Sequence, residues 1–163
     1  LSIENVKAHF RAYNKEGDIL EFDTSSATVE LAAQVIGTIP ARIAKTLSFR
    51  SDDGGAILVV AAGDARIDNK KFRDAFGYKA RMLTPEEVVH FTGHEVGGVC
   101  PFGLVQTLNV YLDVSMKRFD TLFPACGSLN SAIELTCEEI YQYARGTSWV
   151  DVCKDWDADQ QSA

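Results

Sequence analysis

Ala56-Ile57-Leu58-Val59-Val60-Ala61-Ala62 is the run that most limits how this chain can fold. Seven consecutive apolar residues predict a central strand covered on both faces, not an edge strand with one side in water. Ser51-Asp52-Asp53-Gly54-Gly55, just before it, reads as a hairpin turn. Leu47 and Phe49 alternate with Thr46, Ser48 and Arg50 on the other side of that turn, the pattern of a half-buried partner strand.

Helical signals surround this hairpin. Ile3, Val6, Phe10 and Tyr13 recur at helical spacing over residues 2–14, with Ser2 as a cap. Thr28 opens a second helix that Gly37 stops, and Asp68 opens a basic one that ends at Gly77. Thr84-Pro85-Glu86-Glu87 and Thr136-x-x-Glu139 have the reciprocal side-chain and backbone groups of capping boxes, with Gly93 and Gly146 as the expected stops. Short strands are expected at Ile19–Phe22, Val110–Val114, Ala132–Leu135 and Trp149–Val152, and an extended piece at Tyr78–Leu83. Interspersed strands and helices around one hairpin predict a single α+β domain over residues 1–152, a mixed, twisted sheet surrounded by helices. Residues 153–163 read as an acidic tail.

Hydrophobic residues make up 46% of the chain and charged ones 24%, ordinary for a soluble globule. No apolar run approaches the roughly 20 residues of a membrane span, and no signal-peptide layout is present. Cys100, Cys126, Cys137 and Cys153 have no metal-site spacing and read as reduced thiols in a cytoplasm. With His9, His90 and His94 as the only histidines, no metal is expected. A net charge of −7 argues against sequence-blind nucleic-acid binding. The charge is uneven, however: Arg66, Lys70, Lys71, Arg73, Lys79 and Arg81 face only Asp68 and Asp74 in one stretch. Such a stretch suits a partner that is anionic at one end, and equally a plain solvated helix face.

Two features could carry chemistry. Gly93 to Leu104 holds four glycines, Pro101, Cys100, His94 and Glu95 in twelve residues without helical or strand period. Paired Gly97 and Gly98 let backbone N–H groups face an oxyanion, or simply make a tight turn. Lys45 lies at the mouth of the predicted strand among apolar neighbours, placed to bring a point charge to a sheltered site or to snorkel at the surface. Cys100 with His94 six residues earlier invites a thiol-nucleophile reading that lacks an orienting third group.

Arg42-Ile43-Ala44-Lys45-Thr46-Leu47-Ser48-Phe49, Val59-Val60-Ala61-Ala62-Gly63-Asp64, Gly97-Gly98-Val99-Cys100-Pro101-Phe102-Gly103 and Ile133-Glu134-Leu135-Thr136 together resemble the YbaK/EbsC family. These are free-standing relatives of the editing domain in bacterial prolyl-tRNA synthetase, and the resemblance spans residues 5–145. It implies hydrolysis of the ester joining a wrong small amino acid, such as cysteine or alanine, to the 3′ end of a tRNA, most simply proline tRNA. The family lysine corresponds to Lys45, which would position the terminal ribose or carbonyl. The loop Gly97–Gly103 would stabilise the oxyanion, with Gly97 and Gly98 as donors. Thr46, Val99, Cys100, Pro101, Phe102, Gly103, Gly127 and Ser128 would line the substrate pocket. No cofactor is implied, and a prolyl-tRNA synthetase is the implied companion.

Lys70, Lys71 and Arg73 are assigned to the acceptor end of the tRNA by their charge. Members that clear cysteine are expected to have a serine and an aspartate where this chain has Ala125 and Ala132. That departure bears on which amino acid is cleaved. The alternative to catalysis is a module that binds tRNA or a synthetase without turnover. The sequence does not define an oligomeric state.

Overall fold

The computed structural model describes residues 2–156. Five helices, α1 (Ser2–Arg11), α2 (Val29–Ile36), α3 (Asn69–Phe76), α4 (Pro85–Thr92) and α5 (Cys137–Tyr143), pack around ten short strands. The strands are β1 (Leu20–Glu21), β2 (Ile43–Arg50), β3 (Ala56–Ala62), β4 (Arg66–Ile67), β5 (Asn109–Asp113), β6 (Thr121–Pro124), β7 (Ser131–Ala132), β8 (Leu135–Thr136), β9 (Ser148–Val150) and β10 (Cys153–Lys154). Six of them form one sheet in the order β8-β6-β2-β3-β5-β9; β1 pairs β7, and β4 pairs β10. The main sheet is mixed, antiparallel at β2/β3 and β6/β8, parallel at β2/β6, β3/β5 and β5/β9.

The apolar run lies where its composition requires. Every residue of β3 is buried, and Leu58 through Ala62 are wholly inaccessible. Burying a Leu or Val side chain stabilises by about 1.5–3 kcal/mol, so this strand is a large share of what holds the sheet in place. Gly54, at φ 86°, makes the hairpin turn that returns the chain from β2. On one side α1 packs Phe10 against Phe102, with ring centroids 4.7 Å apart, and edge-on to Tyr143. Phe72 of α3 meets Phe49 of β2 at 4.8 Å.

Both capping boxes form, with Thr84 and Glu87 bonding each other's backbone at α4, and Thr136 and Glu139 at α5. Four local expectations change. Ser2 is the first helical residue, and its hydroxyl contacts His94 Nδ1 on the glycine-rich loop. The single strand expected at 132–135 is split, because Ala132 pairs β1 while Leu135 pairs β6. Helix α5 is ended by Arg145 in the left-handed region, at φ 53°, one residue before the expected glycine. The piece at 78–83 is extended but touches the sheet only through residues 81–83.

Val152 and Cys153 are fully buried, and β10 continues two residues into the segment that composition assigns to a tail. The Asp113 carboxylate accepts from Val152 N–H at 2.8 Å, and the Val152 carbonyl accepts from Asp68 N–H at 2.8 Å, which straps this end to the core. Of that segment's acidic residues, Asp155 is described, and Asp157 and Asp159 lie outside the described residues. No helix among the described residues is long and apolar enough to cross a membrane.

Candidate active site

A cavity of about 370 Å³ opens beside β2. Its floor is Ile43 to Ser48 of β2, one wall is Ser26 to Val29 at the start of α2, and the opposite wall is Met82, Leu83 and Pro85. Gly97 and Val99 close one end; Phe123, Ala125 and Ala132 close another. The opening exists because β2 is incompletely paired on its outer edge. Its contact with β6 stops at Ala44–Pro124, and residues 81–83 take over only where Leu83 N–H reaches the Ser48 carbonyl at 3.1 Å and Arg50 N–H the Arg81 carbonyl at 2.8 Å. Strand alternation puts the main-chain N–H and C=O of Thr46 at that same edge, in the gap. Thr46 Oγ1 is the one buried side-chain oxygen or nitrogen without a partner among the described residues.

Lys45 is the only charged residue in the lining among the described residues. Its ammonium donates to the Gly63 carbonyl at 3.3 Å and contacts the Ala65 carbonyl, both in the turn that follows β3. Burial pushes its pKa below the usual 10.5, and nearby Asp64 opposes that only in part. Among the described residues the amine is therefore held by neutral oxygens and not by a carboxylate partner. The end wall is fixed from behind: Arg42 stacks over Phe123 at 5.2 Å and bonds Thr121 and Glu134.

The glycine-rich loop divides between several jobs. Gly93, at φ 80°, ends α4. Gly97, at φ 99°, faces the cavity beside Ala27 and Leu129. Gly98 donates its N–H to the Glu95 carbonyl at 3.0 Å, so that donor is committed to the turn. It lies against Gly127 and Ser128, and all three border a separate hollow with Ser2 and Leu129. Ser128 reaches the cavity indirectly, by donating to Ser131 Oγ at 2.7 Å.

His94 is fully buried beneath the loop, its Nε2 donating to the Phe102 carbonyl at 2.7 Å. Cys100 Sγ does come within 3.6 Å of that nitrogen. Both residues have zero accessibility, and neither lines the cavity. Burial raises the thiol to about 12, which removes the thiolate a nucleophile needs. Pro101 and Phe102 are also core, and Gly103, at φ 60°, lets the loop pass against the backbone of Asn5 and Val6.

Of the residues read from sequence, Lys45, Thr46, Gly97 and Val99 thus meet at one cavity. Gly98, Gly127, Ser128, Cys100, Pro101, Phe102 and Gly103 lie behind or below it. Lys70, Lys71 and Arg73 sit on α3, outside the lining; Lys70 pairs with Asp74 at 2.9 Å and Lys71 with Asp151 at 3.1 Å. Sequence reasoning missed the α2 and Met82–Pro85 walls. Their apolar residues look like any core face, and only the exposure of Met82 marks it as a rim. Among the described residues, no cluster of three His, Cys, Asp or Glu side chains could hold a metal ion.

The profile of the aminoacyl-tRNA editing domain matches residues 23–143, which includes every cavity wall. YwhH of Bacillus subtilis, itself uncharacterised, is 60% identical over 157 residues, 96% of this chain and 100% of that protein. EbsC of Enterococcus faecalis, named as a candidate Cys-tRNA(Pro)/Cys-tRNA(Cys) deacylase, is 28% identical over 88% of this chain and 85% of its own. The proline–tRNA ligase of Bacillus licheniformis is 28% identical over 102 residues, only 18% of the ligase. A crystal structure described as a candidate trans-editing enzyme for prolyl-tRNA synthetase superposes with a TM-score of 0.84 at 28% identity, covering 94% of this chain and 97% of the other. The chain belongs to the aminoacyl-tRNA editing domain family, among the YbaK/EbsC proteins.

Proposed function

We propose that this protein is a trans-editing deacylase that hydrolyses the ester of a small amino acid misattached to tRNA, with proline tRNA as the first candidate. The observation that carries the reading is the meeting of one poorly solvated ammonium, Lys45, with Gly97 in a cavity whose other described lining residues are uncharged. Water attack on an ester carbonyl generates a tetrahedral oxyanion, and a fixed cation or N–H donor is worth most where water is excluded. Lys45 leaves its carbonyl rest position to hold the terminal ribose or the carbonyl oxygen. Gly97 and the open edge at Thr46 supply main-chain hydrogen bonds. Gly98 supports the turn and does not donate to the substrate.

Among the described residues, no carboxylate, imidazole or thiol lines the cavity. Proton transfer is therefore assigned to the substrate: the free hydroxyl of its terminal ribose accepts a proton from the attacking water while passing its own to the neighbouring ribose oxygen, which leaves as a hydroxyl. The volume, near the lower end for ligand sites, fits an aminoacyl group and a ribose. Ala125 and Ala132 leave an apolar wall that favours a small aliphatic side chain over one with a polar tip. A separate editing pocket of this kind has a physical reason, because a synthetase pocket separates side chains differing by one methylene by only about 1–3 kcal/mol.

A panel of tRNAs charged with alanine, cysteine, serine or proline, incubated with the protein and with Lys45→Met, tests the reading. Release of one small amino acid by the wild type and its loss in the variant is the expected result. Binding of tRNA with no release from any substrate would leave the non-catalytic module as the better account.

A further inference from the structure

The RNA-binding surface is a separate question, and the charges on the fold point away from α3. We propose that the trough beyond the cavity rim, lined by Arg81, Lys79 and Tyr78, seats the single-stranded 3′ end of the RNA; this rests on the deacylase reading for its ligand.

Residues 81–83 are held on β2 by two main-chain hydrogen bonds, so the rim is part of the sheet and not a loose loop. Met82, 59% exposed, lines the cavity. Just beyond it, Arg50, Lys79, Arg81 and Tyr78 surround a hollow of about 280 Å³. A wider hollow of about 480 Å³ continues from there, sharing Ser51, Asp52 and Tyr78 with the first and adding Asp53, Phe76 and Tyr111, so the cations lie at the end nearer the cavity rim. The two outer hollows are continuous through these shared residues, and they adjoin the cavity where Arg81 and Met82 follow one another in the rim segment.

Cations and a ring in that order suit a single strand. Arg50 pairs with Glu87 at 2.7 Å, but Lys79 and Arg81 make no ion pair among the described residues, with Asp52 the one carboxylate in their hollow. On α3, by contrast, Lys70 and Lys71 are each matched by an aspartate, and Arg73 alone of the three makes no ion pair among the described residues. The Tyr78 ring packs near Phe72 and Phe76, at 6.0 and 6.2 Å between centroids, which fixes its orientation before a base arrives. A cationic groove with a fixed aromatic ring is the usual way a protein holds unpaired nucleotides without reading their sequence. It also answers the acidic net charge, since only a few nucleotides need cations.

The test is fluorescence anisotropy with a 5′-labelled RNA hairpin bearing a four-nucleotide single-stranded 3′ end, against the same hairpin made blunt, at about 50 and about 200 mM salt. The overhang hairpin is expected to bind, and the K79E/R81E variant to lose about tenfold or more in affinity, with the log–log salt slope smaller by about 1.4, the share of two phosphates on a single strand. Tyr78→Leu is expected to weaken binding without changing that slope, and K70E/K71E to have the smaller effect of the two charge reversals. Circular dichroism checks that each variant is folded. Equal binding of the blunt hairpin, no binding by the wild type, unchanged binding by K79E/R81E, or a larger loss in K70E/K71E overturns the proposal. Deacylation assays separate the two readings: binding as described without turnover removes the enzyme and keeps the trough. Turnover with an unchanged KM for tRNA in K79E/R81E keeps the enzyme and removes the trough.

Discussion

Gly98 sits so close to Ser128 that a methyl group on its α-carbon would lie 2.9 Å from the Ser128 nitrogen. The neighbouring contacts are also backbone, Gly127 C and Ser128 O at 3.0 Å each, so no side chain can swing away. Gly98→Ala therefore pushes apart the two loops that border the cavity. An overpacking cost of about 1–3 kcal/mol is expected, a fall in Tm of about 2–12 °C for a chain of this size. Thermal denaturation followed by circular dichroism measures it; an unchanged Tm would mean that the loops are not rigidly joined.

Lys45→Met removes the charge and keeps most of the apolar stem. Loss of about 10²–10³ in turnover is expected, the usual effect of removing one oxyanion-stabilising group. Stability should not suffer, because the amine is poorly solvated and has no carboxylate partner. The linkage has a definite sign. Burial lowers the folded pKa, so between that value and the unfolded 10.5 the unfolded chain binds more protons, and stability contributed at this site rises with pH. Urea melts at alkaline pH should show that rise in the wild type and not in the variant. Turnover, after subtraction of spontaneous ester hydrolysis, should decline on the alkaline side below pH 10.5 as the ammonium deprotonates.

Thiol chemistry should leave the proposed activity untouched. Cys100, Cys126 and Cys153 are buried, whereas Cys137 is partly accessible with its pKa raised by burial to about 11. Iodoacetamide at neutral pH is expected to modify Cys137 first, slowly, with no loss of deacylation, as read by mass spectrometry and assay together. Cys100→Ala should keep turnover as well. Inactivation that tracks modification of Cys100 would restore the nucleophile reading.

Ala125→Val tests which wall receives the amino-acid side chain. The added methyls project from a cavity-lining position into space that is otherwise empty. Activity on the larger of two cleaved aminoacyl esters should fall by about 10-fold or more relative to the smaller, the discrimination available from one or two methylenes. Competition kinetics with two charged tRNAs give the ratio directly.

Acid should loosen the contact of α1 with α5 and the closure of the glycine-rich loop on itself. Burial lowers the pKa of both His9 and His94, and each ring bonds a backbone carbonyl, that of Tyr143 and of Phe102 respectively. Their stabilisation is complete above the unfolded value of 6.5 and is lost as pH falls through the folded values. Denaturation midpoints between about pH 6.5 and 5, before most carboxylates titrate, should decline, and His94→Gln should flatten the decline. A flat wild-type profile would contradict it.

Local chemistry was readable from the chain wherever it was complete within a few residues. Thr84 with Glu87, Thr136 with Glu139, Thr28 with Gly37, and the Asp53–Gly54 turn each carry both partners of their own contact. Lys45 and Gly97 meet at one cavity, but that follows from family resemblance and not from spacing. What the chain hid was pairing at a distance. Val152 bonds Asp113 and Asp68, and two-residue strands such as β4 and β10 are too short for any period to show. The glycine loop looked like one functional unit because nothing local distinguishes Gly97, which faces the cavity, from Gly98, which packs on Ser128.

The break in pairing along the outer edge of β2 has one more consequence. The vacancy is a missing stretch of ladder, bounded by main chain at Ala44 and Ser48, so its mouth has a calibre that side-chain changes hardly alter. Under the proposed deacylase reading, replacement of wall residues such as Ala125, Ala132 or Val99 would re-tune which guest is retained, while the frame that presents the ester would stay as it was. One scaffold can thereby serve as a set of interchangeable sieves, each differing from the next by a methyl group or two.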